Sequence, residues 1–329
     1  MSVLAAAVLF TGVVVYAVLG GADYGAGFWD LTAGGTRRGQ RPRHLIDQSL
    51  APVWEANHVW LIFCLVMLWT GFPQVFTAIM TTLYIPLGLA ALGIVVRGSG
   101  FAFRKVLTRT AHQRAAGAAF ATSSVVAPFF LGTVAGGIGS GRVPATGYGD
   151  PLRSWVNPTS VMAGMLAVAV CAFIAALFLT AEARHLHDAE LTAWFLRRSR
   201  WIAVVAGLSA LGGLFVLRQD APWLFQGLLT RGLPLVLLSA VSGLATLLLV
   251  ERAPVRALQL LAVLPAGALV LGWGVAQYPD MLATSAILQQ VAAPTPTLWA
   301  LTLVAAGALL LIVPSLALLL TLQQRGRLR

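Results

Sequence analysis

Long stretches of this chain carry no charged side chain. Residues 1–22 have none, and after Glu55 no charge appears until Arg97. Further uncharged stretches cover 115–141, 154–181, 201–217, 232–250, 257–279 and 281–324. A helix crosses the hydrocarbon core of a bilayer with about 20 mostly apolar residues, so these stretches predict membrane spans. The one after Glu55 is long enough for two, divided at the turn signal Gly71-Phe72-Pro73-Gln74. The last opens with Pro294-Thr295-Pro296-Thr297 and holds one span after a loop. Nine helices are predicted, over 3–31, 48–70, 75–97, 115–136, 157–181, 199–217, 233–250, 256–276 and 298–322.

Composition agrees with that pattern. Apolar residues make up 58% of the 329 positions and charged ones 10%, against roughly 25% charged in soluble domains. The fold class is an all-α integral membrane protein. Two cysteines, Cys64 and Cys171, exclude a disulfide scaffold and a Cys-rich zinc module. The apolar start has no Lys or Arg before it and runs on past Gly20, so it reads as a span and not as a cleavable signal.

The net charge of +11 changes meaning once its carriers are placed. Of the 22 basic residues, 18 fall on one set of alternate connections, clustered at 37–43, 97–114, 184–200, 252–256 and 325–329. The other set holds Arg142, Arg153, Arg218 and Arg231. Basic loops stay on the cytoplasmic side, which predicts the N-terminus outside and the C-terminus in the cytoplasm. The basic excess therefore reports topology and anionic lipid, and no nucleic-acid partner is expected. The outer loop 137–156 is too short and Gly-rich to form a soluble domain.

Polar residues at membrane depth carry the candidate chemistry, because a charge there costs about 2.5–3.5 kcal/mol to insert. Asp23 and Asp30 lie at the inner end of the first span, in Gly21-Ala22-Asp23-Tyr24-Gly25-Ala26-Gly27-Phe28-Trp29-Asp30. Gly21 and Gly25 have GxxxG spacing, which favours close approach of another helix. The acids then either pair with an Arg in a packing seam or take part in function. Glu55, in Trp54-Glu55-Ala56-Asn57-His58, lies about 10 Å in from the end of the second span. His58 at i+3 shares its face, and a carboxylate, imidazole and amide on one turn are suited to relaying protons. A hydrogen-bonded cluster that fixes helix register is the structural alternative. Arg97 and Arg104, at the inner end of the third span, are placed to reach these acids and close the cytoplasmic end. No histidine pair has the spacing of bis-histidine haem ligation across the spans, and no metal site is expected. The mixed-charge stretch 182–190 is read as a solvated helix end.

The segments GADYGAGFWDL (21–31), SLAPVWEANHVWLI (49–62) and VVRGSGFAFR (95–104), followed by PFFLGT (128–133) and Tyr278-Pro279-Asp280, occur in an order that resembles subunit II of the cytochrome bd-type quinol oxidases. The resemblance implies two four-helix bundles, 1–140 and 141–280, with an outer linker and ninth helix over 281–329. It implies a terminal oxidase of the bacterial plasma membrane that oxidises quinol and reduces oxygen to water. Haem b and haem d are expected in the partner, subunit I, with none ligated by this chain. Glu55 matches the acid of the family's W-[DE]-x-N motif on a cytoplasmic proton path, and Asp23 matches the acid of its G-x-D-x-G segment. The proton-path candidates are thus Glu55, Asp23 and His58, in that order, supported by Asn57, Trp54, Asp30, Arg97 and Arg104. A small single-helix accessory subunit and a bound quinone or lipid are further partners that the resemblance allows. Two other readings stand beside it: a proton-coupled secondary transporter, and a structural membrane scaffold.

Overall fold

A computed structural model describes residues 1–35, 38–50, 54–106, 110–283 and 285–324. The chain is helical almost throughout: α1 (Ser2–Thr32), α2 (Gln40–Leu50), α3 (Trp54–Gly71), α4 (Pro73–Thr82), α5 (Tyr84–Val106), α6 (Thr110–Gly139) and α7 (Pro158–His185). There follow α8 (Ala189–Asp220), α9 (Pro222–Leu229), α10 (Leu233–Leu249), α11 (Val255–Gln277), the strands β1 (Asp280–Leu282) and β2 (Ala286–Ile287), α12 (Leu288–Val291) and α13 (Thr295–Gln324). Among the described residues, seven helices are long and apolar enough to cross a membrane, or up to nine if each of two bent pairs is one span.

The bent pairs depart from the predicted elements. The predicted third span, 75–97, is two helices, and its first part belongs to α4, which turns from α3 by 117°. Proline explains both breaks. Pro73 opens α4 at its first turn behind the buried Phe72. Pro86 sits in the first turn of α5, where it has no N–H to give the carbonyl of Thr82. The freed corner is used: Thr81 and Thr82 hydroxyls accept the main-chain N–H groups of Tyr148 and Gly149, at 3.2 and 3.1 Å, and so fasten the Gly-rich loop between α6 and α7. A second corner, of 77°, joins the unpredicted α9 to α10.

Other boundaries move for local reasons. The predicted second span starts at 48, whereas residues 48–50 belong to α2, whose Leu45 and Ile46 are buried. The predicted sixth span, 199–217, is the middle of α8, which begins ten residues earlier. Asp188 caps it by accepting the Leu191 N–H at 2.9 Å, and Arg41 pairs with Asp188 and Glu190. The linker before α13 contains a small antiparallel hairpin, β1 with β2, and the one-turn α12.

Helices α1, α6 and α7 form the centre. A Cβ at Gly25 would overlap the carbonyl of Cys171 on α7, and one at Gly27 would overlap the Ser124 hydroxyl on α6. Glycine at these two positions lets α1 lie against the backbone of α7 and against the Ser124 side chain of α6. The Trp29 indole then donates to the Ala172 carbonyl at 2.8 Å across the same seam. The main core joins Trp29, Phe101, Phe120 and Phe195 with the small residues of α7, and a second core gathers Leu9, Met67, Phe72 and Leu83 toward the other end.

Candidate functional site

The seam sets Asp23 on the C-terminal half of α1, against α5 and α6. Its carboxylate Oδ1 accepts from Arg97 Nη2 at 2.6 Å, and its main-chain carbonyl accepts from the same nitrogen at 3.2 Å. Arg97 Nε donates to Ser124 Oγ at 3.0 Å. The guanidinium lies between two aromatic faces, 5.2 Å from the Tyr24 ring centroid and 4.9 Å from that of Phe120. Arg97 is 1% exposed and Asp23 3%, so each charge depends on the other and on these contacts. Arg97 Nη1 is buried without a hydrogen-bond partner. The Tyr24 hydroxyl lies 3.1 Å from that of Tyr16, two turns back along α1.

Asn57 projects from the first turns of α3 onto the same helix. Its Nδ2 donates to the Leu19 carbonyl at 3.3 Å, one turn from Asp23, and its Oδ1 is buried without a partner. His58, the next residue, is half-buried. Trp54 and Glu55 stand in the first turn of α3 and Arg104 near the end of α5, but the side chains of these three lie outside the described residues. The expected cluster is therefore assembled in part: Asp23, Arg97 and Asn57 converge on one stretch of α1.

Asp30 has a separate environment. Arg43 of α2 donates from Nε to Asp30 Oδ1 at 2.7 Å, and from Nη2 to the carbonyls of Asp30 and Gly34 at 3.3 and 2.6 Å. One side chain thus neutralises a buried acid and occupies the carbonyls left over where α1 ends. Sequence reasoning misses Arg43, Ser124, Tyr24 and Phe120. The adjacent hydroxyls Ser123-Ser124 inside an apolar run are a visible signal for the second; nothing in the spacing of Asp30 and Arg43 pairs them.

Among the described residues, no three His, Cys, Asp or Glu side chains converge as a metal site. His44, His112, His185 and His187 lie in the short α2, in the first turn of α6, at the end of α7 and in the turn before α8. Among the described residues, the polar groups gathered on this stretch of α1 are a carboxylate, a guanidinium and an amide, a set that suits proton and charge handling.

Comparison with known proteins bears on this site. A family model described as cytochrome bd terminal oxidase subunit II matches residues 1–323. The chain is 28% identical over 171 residues to the cytochrome bd-I ubiquinol oxidase subunit 2 of Escherichia coli (strain K12), covering 49% of this chain and 44% of that protein. It is 27% identical over 128 residues to the cytochrome bd ubiquinol oxidase subunit 2 of Bacillus subtilis (strain 168), covering 39% and 36%. The chain therefore spans less than half the length of these curated relatives. A chain of the bd oxidase from Geobacillus thermodenitrificans has a similar fold, with a TM-score of 0.83 at 24% identity over 98% of both chains.

Proposed function

The chain belongs to the cytochrome bd terminal oxidase subunit II family, a family of inner-membrane proteins, and from that premise we propose that it is the subunit of a quinol:oxygen oxidoreductase that ligates no haem. It assembles with a haem-bearing subunit I, which carries haem b and haem d. In this reading the chain crosses the membrane nine times, with the N-terminus outside, the C-terminus in the cytoplasm and bundles over 1–140 and 141–280. Its chemical contribution is a proton path from the cytoplasmic side, entered at Glu55 and passing His58, Asn57 and Asp23.

The observation that supports the path is the polar content of one stretch of α1. Asn57 and Arg97 bind the carbonyls of Leu19 and Asp23, which are four residues apart and so about 6 Å along the helix. Each leaves one buried polar atom without a protein partner. Buried polar atoms are nearly always satisfied, and where protein does not do it water does. Glu55 lies two residues before Asn57 on the same helix. Arg97 already holds the Asp23 carboxylate, so in this reading Asp23 orders the hydrogen bonds while Glu55 exchanges the proton.

The test is Glu55→Gln in the purified complex. Oxygen consumption should fall on the order of 10²-fold, the lower end of what a positioned proton-transfer group contributes. Haem content should be unchanged, and Glu55→Asp should restore part of the rate. Unchanged turnover in Glu55→Gln would remove the path and leave a scaffold. An optical spectrum in which haem b and haem d bands travel with this chain on a larger partner tests the assembly itself.

A further inference from the structure

Away from this site, a groove of about 400 Å³ opens where α10 gives way to α11. Leu249, Pro254, Ala257, Leu260 and Leu261 line it, with Arg252 at its rim. Its size falls in the range of small-ligand sites, about 300–1,000 Å³. Leu249 and Leu260 are 51% and 60% exposed, so the groove faces outward from the helices.

The charges around it do not balance. Glu251, the acid in this turn, is held by Arg200 at 2.7 Å. Arg184 is turned inward onto the carbonyls of Val250, Glu251 and Ala253. Arg252 and Arg256 are both exposed, and among the described residues neither joins an ion pair. Arg256 stands one turn before Leu260 on α11, so its charge lies beside the groove's apolar wall. Two exposed guanidiniums outside any ion pair, Arg252 lining an apolar groove and Arg256 one turn from its wall, match one kind of molecule in a membrane: an acyl chain ending in an anionic phosphodiester.

We propose that this groove binds one anionic phospholipid, with an acyl chain along Leu249, Ala257 and Leu260 and the phosphate on Arg252 and Arg256. The site needs only that the chain be embedded in a bilayer, and is independent of the Glu55 path.

The experiment uses the intact oxidase complex in nanodiscs containing phosphatidylglycerol with a photoactivatable acyl chain, and locates crosslinks by mass spectrometry. Crosslinks should map to Leu249, Ala257 and Leu260. They should fall roughly 30-fold in Arg252→Gln/Arg256→Gln, the effect of losing two cation contacts of about 1 kcal/mol each with an anionic headgroup. Ala257→Phe, which fills the groove and keeps both arginines, should lower them as well, whereas Arg197→Gln at an exposed position of α8 should not. Equal crosslinking by a phosphatidylcholine probe would overturn the proposal. So would full crosslinking in the double variant, or no lipid crosslink because protein covers the groove.

Discussion

Arg97 Nη2 reaches the carboxylate and the main-chain carbonyl of the same residue, Asp23, at 2.6 and 3.2 Å. One nitrogen therefore joins α5 to both the side chain and the backbone of α1. Because both side chains are buried, removing one partner leaves the other as an uncompensated charge. Arg97→Met should destabilise the protein by about 3–5 kcal/mol, whereas Asp23→Asn combined with Arg97→Met should recover much of that loss. Thermal unfolding of the single and double variants in detergent measures the difference. Equal destabilisation by both would show that packing, not charge, dominates.

The approach of α1 to α7 predicts a second effect. A methyl group at Gly25 would overlap the Cys171 carbonyl, so Gly25→Ala must push two backbones apart. A cost of about 1–3 kcal/mol is expected from overpacking. At Gly207, on α8, a methyl group would meet nothing within 4 Å, and Gly207→Ala should instead stabilise by about 0.5–1 kcal/mol through helix propensity. The two variants compared by unfolding midpoint separate close approach from propensity.

Arg43 ends α1 and holds a buried acid at the same time. Arg43→Ala removes hydrogen bonds to the Asp30 carboxylate and to the Asp30 and Gly34 carbonyls. The loss should be about 1.5–3 kcal/mol, as for hydrogen bonds to charged groups, with Arg43→Lys recovering only part because it lacks the forked geometry. Protease susceptibility of the segment after Thr32 should rise in step with the stability loss.

The cap of α8 gives a pH dependence. The Leu191 main-chain N–H foremost, with Arg41 adding to it, holds the Asp188 carboxyl below the usual carboxylate range. A folded-state value below the unfolded one means that the stabilisation is fully present above the ordinary Asp value of about 3.9 and is lost as pH falls through the lowered value. Amide exchange in the first turn of α8, corrected for its intrinsic rate, should accelerate only below about pH 4. In Asp188→Ala it should be fast at every pH, and in Asp188→Asn it should lose its pH dependence while keeping most of the cap.

Much of this is legible in the sequence because it follows from one-dimensional properties. Uncharged runs locate the long helices, Gly21 and Gly25 mark the seam, and Asp23 and Arg97 stand out as charges in apolar surroundings. What is not legible depends on partners chosen in three dimensions. Pro86 breaks the predicted third span because the carbonyl of Thr82 finds no donor there, while Thr82 itself finds a loop some 67 residues away. Asp30 shares a helical face with Asp23, yet the two are met by arginines from different helices. The long α8 emerges from a stretch with three arginines because Arg197 and Arg200 lie exposed, and Arg198 packs on Trp194, 3.1 Å from its ring centroid.

The glycine seam has a mechanical consequence. Helices α1 and α7 lie more than a hundred residues apart in the chain, and the carbonyl of Cys171 lies where any side chain at Gly25 would have to go. Alternating access of the secondary-transporter kind depends on one half rocking against the other. At Gly25 the join is main chain against main chain, whereas at Gly21 and Gly27 the side chains of Ile174 and Ser124 make the contact. Relative sliding would drive backbone into backbone. The stretch of α1 that carries Asp23 is therefore fixed against α7 two residues further on, at Gly25.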